Sequence, residues 1–141
     1  MRTLLTVLVL TLLPTRIDVP PVSPVRVIAP FRAPIDEYAA GHRGVDLAAR
    51  PGQLVVSPIT GTITFQGVVA GRAVIVISDG RRSASLEPVT SSLDEGTFVR
   101  AGQTLGTVAN GGHCTLRCVH LGLRLDGRYV NPFGVRARLV P

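Results

Sequence analysis

Apolar residues in this chain come in short, often alternating runs, and Gly, Pro and Asp cut each run off. Residues 53–57 read QLVVS and are followed by the turn PITG. TITFQGVV over 62–69 alternates and breaks at AGR, and AVIVIS over 73–78 is β-branched and ends at DG. Further runs are SASLEPV over 83–89, TLGTV over 104–108 and VHLGLRL over 119–125. Alternation and β-branching between turn formers predict strands. Their spacing suits an all-β sandwich or barrel. No amphipathic helix is predicted, beyond a single helical turn near 35–38.

The two ends of the chain read differently. MRTLLTVLVLTLLPTR places one Arg before an apolar run from Leu4 to Leu13, closed by Pro14. A basic start followed by roughly 7–15 apolar residues is the layout of a secretory leader. It falls short of the roughly 20 residues that span a bilayer. Residues 1–15 are therefore expected to be a signal peptide, and 16–24, RIDVPPVSP, a proline-rich linker. Residues 25–141 form the expected folded domain. Export would put the chain in a compartment that permits disulfides.

Charge narrows the partners. Net charge is +6, and every one of the fifteen basic residues is Arg. A basic balance points to acidic partners such as nucleic acid or anionic wall polymers. Nucleic acid is disfavoured, because the arginines are scattered and only two Tyr and four Phe could stack on bases. The corner EGTFVRAGQTLGTV (95–108) resembles those of biotinyl- and lipoyl-carrier domains. A carrier needs an acceptor lysine, and there is none.

The candidate chemistry lies in two stretches. AAGHRGVDLAARPGQLV sets His42 and Asp46 four apart, an even separation that shares one face of an extended segment. An imidazole and a carboxylate so placed supply two of the three protein ligands of a catalytic zinc. Alone, such a pair fits a salt-bridged surface loop better. GHCTLRCVHLG, residues 112–122, adds His113, Cys114, Cys118 and His120, and His120 on a predicted strand is the natural third ligand.

In combination, GHRGVDLAARPGQLVVSPITGTITFQG, GTFVRAGQTLGTV and VHLGLRLDGRYVNP, in that order, resemble the lysostaphin-type or LytM-like zinc metallopeptidases that cut bacterial peptidoglycan. The resemblance covers about 25–134. It implies an antiparallel two-sheet domain, sandwich- or barrel-like and of the duplicated hybrid type, with the site in a groove. It also implies zinc held by His42, Asp46 and His120. Two auxiliary histidines of the family have no counterpart. The one that helps activate water falls on Cys118, and the one that stabilises the oxyanion falls on Ser85, in SASL.

Three readings of the cysteines stay open. Cys114 and Cys118 could form a disulfide closing a small loop beside the metal. Cys118 could be a thiolate fourth ligand, which would fill the tetrahedron and make the site structural. Both could be buried, inert thiols. His113 is either an exposed loop residue or a substitute for the missing base. The expected function is a zinc endopeptidase acting on peptidoglycan in the envelope of, or secreted by, a bacterium. Its rival is a degenerate wall-binding or amidase-activating regulator that keeps the metal.

Overall fold

The computed structural model describes residues 14–114 and 117–134. The expected leader, 1–15, lies almost wholly outside them. Strands form at Val27–Ala29 (β1), Val45–Ala48 (β2), Leu54–Val56 (β3), Gly61–Val69 (β4), Arg72–Ser78 (β5), Arg82–Glu87 (β6), Val89–Thr90 (β7), Phe98–Val99 (β8), Thr104–Val108 (β9), Cys118–Leu125 (β10) and Arg128–Val130 (β11). No helix occurs among the described residues, and residues 35–38, expected as a helical turn, form bends and a turn. The longer strands match the alternating runs in the sequence. β1 and β11 were not legible there, because three residues are too few to carry a period.

All pairings are antiparallel. The large sheet runs β1-β2-β10-β6-β5-β4-β8, and β3-β9-β7 form a second, small sheet. β10 is the hub. Its first half pairs with β2, its second half with β11, and its other edge with β6. Alternation sorts the faces of the central strands. On β6, Arg82, Ala84 and Leu86 are buried while Ser83, Ser85 and Glu87 are half-buried. On β10, Val119, Leu121 and Leu123 are fully buried with Leu47 of β2 and Ile75 and Ile77 of β5. Each such side chain contributes about 1.5–3 kcal/mol relative to exposure. The opposite face of β2 and β10 is thereby left free for polar residues.

Two turns repeat the same device. Arg50-Pro51-Gly52-Gln53 and Arg100-Ala101-Gly102-Gln103 each put Gly at positive φ, 83° and 84°. In each, the Gln side chain accepts from the backbone N–H of the Arg, at 3.1 and 3.0 Å. Their chains also interlock: Gly52 N donates to Val108 O and Gly102 N to Ser57 O. Only Gly adopts that backbone region without strain.

The proline-rich stretch 16–24, expected as a linker, bends repeatedly and is packed. Ile17 and Val22 are buried in the core. Ile17 N donates to Pro132 O, Asp18 N to Pro58 O, and Pro21 O accepts from Val56 N. Prolines keep the stretch out of a regular ladder, yet its apolar side chains still gain by burial. Arg82, 4 % exposed, fastens it. Its guanidinium donates to the carboxylates of Asp18 and Asp79 and to the Arg16 carbonyl.

Candidate metal centre

Register decides where the polar groups meet. Across β2 and β10, Asp46 stands opposite His120, and Ala48 opposite Cys118. Asp46 Oδ1 accepts from His120 Nδ1 at 2.7 Å. His42 arrives just before β2, held by a two-way backbone bridge with Arg32. Its Nε2 lies 3.2 Å from Asp46 Oδ1. Its Nδ1 donates to the Pro30 carbonyl at 2.8 Å. A carbonyl only accepts, so that bond fixes the proton on Nδ1 and turns Nε2 toward Asp46. Such outer hydrogen bonds orient metal-binding imidazoles.

Gly44 makes the approach feasible. A Cβ there would lie 2.6 Å from His120 Nε2 and would collide with the Leu121 carbonyl. The sequence displays this glycine inside GHRGVD, but only the fold shows that β10 and the His120 ring press on it.

His113 joins the same cluster from the loop before β10. Its Nε2 is 3.0 Å from each oxygen of Asp46. The loop turns on Gly111 and Gly112, both at positive φ. It rests on Arg72, whose guanidinium donates to Glu87 at 2.6 Å. Exposure separates the histidines. The side chains of His42 and His120 are 16 % and 14 % exposed, that of His113 53 %. His113 therefore lies at the cluster's exposed rim.

Cys114 and Cys118 form a disulfide, and their Cα atoms are 5.0 Å apart. That removes the thiolate-ligand and free-thiol readings, since neither sulfur retains a proton or a free charge. The bridge ties the residue next to His113 to the β10 position opposite Ala48. Ser85 points to the same side of the sheet as Glu87 and stands across from Gly122, two residues past His120. Its side chain makes no hydrogen bond with the cluster among the described residues.

Burial works to raise the Asp46 pKa. Hydrogen bonds from His120 and His113, and electrostatic interaction with the His113 and His42 rings, outweigh it and hold the carboxyl down at about 2. The group is therefore ionised at any ordinary pH. Ligand atoms of His42, Asp46, His113 and His120 all lie within 4.8 Å of one another. Two atoms each roughly 2.0–2.2 Å from one zinc ion are separated by a comparable distance. The Nε2 lone pair of His42 and an anionic Asp46 oxygen face each other, an arrangement that calls for a cation or a proton between them. The donor set, imidazole nitrogen and carboxylate oxygen, suits zinc.

Residues 40–132 match peptidase family M23. The chain belongs to that family. M23 peptidases are zinc-dependent, and their folds are β-rich like this one. A protein of Mycobacterium tuberculosis with no assigned role is 36 % identical over 119 residues, covering 79 % of this chain and 48 % of that protein. The murein hydrolase activator NlpD of Salmonella typhimurium is 30 % identical over 96 residues, 65 % of this chain and 25 % of NlpD. Csd3 of Helicobacter pylori superposes with a TM-score of 0.68 at 30 % identity, covering 81 % of this chain and 33 % of Csd3. The chain thus spans about half the length of the mycobacterial relative, and less of the others. Among the described residues, no helix is long and apolar enough to cross a membrane.

Proposed function

We propose that this M23 domain is a zinc-dependent endopeptidase of bacterial peptidoglycan, working in the cell envelope or outside it. The observation that supports it is the convergence of four donors, His42, Asp46, His113 and His120, from three separate parts of the chain. His42, Asp46 and His120 are the ligands in this reading. Zinc, when bound, would acidify a water and polarise the scissile carbonyl. The protein's own groups do the rest. Asp46 keeps its negative charge, and the Pro30 carbonyl holds the His42 ring in register. His113, more exposed than the ligands, takes up a proton and returns it to the leaving amine, the work of the family histidine that Cys118 replaces. A general base must come within about 3 Å of the proton it removes, or reach it through one water. Ser85 is too short to stand in for the other histidine by the same route.

The groove beside the cluster, about 940 Å³, is lined by Arg43, Arg124 and Tyr129 among others. Arg124 lies over the Tyr129 ring, 4.5 Å from its centroid. The ring in turn packs near Gly122, two residues from His120. A peptide strand could lie along this face, with the cross-link over the histidines.

A second reading is an activator of a separate wall amidase. Two observations favour it: the match to NlpD, and the loss of both usual auxiliary histidines at Cys118 and Ser85. Zinc content and turnover of purified sacculi separate the two. One zinc per chain with release of new amino groups supports the peptidase. Zinc without release, together with stimulation of an added amidase, supports the activator. A protein that binds no zinc contradicts both.

A further inference from the structure

We propose that a second, basic cleft at the far end of β2 binds the phosphate groups of an anionic polymer. The cleft measures about 850 Å³ and is lined by Arg26, Arg50 and Arg117 together with Ala48 and Gln53. All three arginines are exposed. None has a side-chain hydrogen bond or ion pair among the described residues, whereas Arg72, Arg81 and Arg82 are all paired to acids.

The arginines are presented by anchored backbone, not by loose loops. Arg26 O accepts from Ala48 N, Arg117 O from Ala49 N, and Arg50 O from Gln53 N. Two consecutive residues at the end of β2 therefore hold one arginine from each side, and the Gly52 turn adds the third. Among the described residues, no carboxylate lines the cleft. Stretches 1–13, 115–116 and 135–141 contain no Asp or Glu to contribute. The equivalent turn sharpens the contrast. There, Arg100 lies 5.9 Å from the Phe98 ring centroid, while Arg50 has no such partner.

Three like charges gathered without a counter-charge are unfavourable unless an anion joins them. Guanidinium forks match phosphate and carboxylate alike. A carboxylate offers two coplanar oxygens, which one fork satisfies. Three forks on separate segments fit successive phosphodiesters along a chain. Nucleic acid fits less well, because the cleft offers no aromatic side chain on which bases could stack. Ala48 is two residues from Asp46, so a polymer held here would lie beside the histidine cluster. The inference does not rest on hydrolysis, since binding is measured without it.

The test is titration of the purified chain with poly(glycerol phosphate) at several salt concentrations, against a triple Arg26→Gln, Arg50→Gln, Arg117→Gln variant. Poly-glutamate and oligo-deoxythymidine serve as competitors. Binding by the parent that weakens with salt, and is at least tenfold weaker with a shallower salt slope in the variant, supports the proposal. Zinc content should not change. Arg26→Gln alone, expected to lose severalfold, provides the reading if the triple variant melts early. The proposal is overturned if the parent does not bind at low salt, or if the variants bind within twofold of it. Equal binding of poly-glutamate, or tighter binding of the oligonucleotide, overturns the phosphate assignment.

Discussion

Gly44→Ala is the most direct probe of how the cluster is assembled. The added methyl would sit 2.6 Å from His120 Nε2, against an ordinary contact of about 3.5–4.0 Å. It would also meet the Leu121 carbonyl, which belongs to a strand paired on both edges. Neither obstacle is a free side-chain end. The ring is bound to Asp46, and the carbonyl is backbone. Relief therefore requires His120 or β10 to move by nearly an ångström, a shift that costs about 1–3 kcal/mol in overpacking. If His120 is a ligand, its misplacement should weaken zinc binding by about 10–100-fold, as for other changes that disturb ligand orientation. Gly122→Ala is the matched control. Its methyl would meet Ser85 Oγ at 2.6 Å, but a serine hydroxyl can rotate away, so zinc affinity should change less than threefold. Competition with a chromophoric chelator measures both, with a melt of the chelated protein to separate site from fold. Equal zinc affinity in Gly44→Ala and the parent would refute the assigned role of His120. Equal losses in the two variants would refute the distinction drawn between backbone and side-chain obstruction.

Other outcomes follow from the same geometry. His113→Ala should retain zinc and lower sacculus cleavage at least tenfold, within the 10²–10⁴ range of a positioned base; an unchanged rate removes His113 from the chemistry. Replacing Cys114 and Cys118 with Ser should cost about 2 kcal/mol, the loop being only four residues apart in sequence. It should also slow cleavage more than it weakens zinc binding, and parallel losses would mean the bridge supports the whole site rather than His113. Arg82→Met leaves Asp18 and Asp79 facing a missing cation, and denaturant unfolding should show a loss of about 3 kcal/mol; a change under 1 kcal/mol would sink that account. In chelator, the Asp46 contribution to stability is complete above its ordinary value of 3.8 and is lost as pH falls through about 2. Asp46→Asn should flatten that acid limb, and an unaltered limb would place the transition elsewhere.

Much of this protein is set by local pattern. β-branched runs between glycine corners made the all-β class and the longer strands legible, because alternation records which face is buried. The His42-Asp46 spacing, with His120 on a strand, made a metal site conceivable for a related reason: even separations share a face. Tertiary structure decided the rest. The sequence left three states open for Cys114 and Cys118, and pairing depended on how the loop folds back onto β10. It left His113 between solvent and site, since a loop's path is fixed by distant supports such as Arg72 and Glu87. It read 16–24 as a linker, because burial of Ile17 and Val22 depends on contacts dozens of residues away. Gly44 and the three arginines of the second cleft belong to the same class. Nothing in their neighbours along the chain records what presses on them or what fails to pair with them, because those are properties of surfaces brought together only by folding.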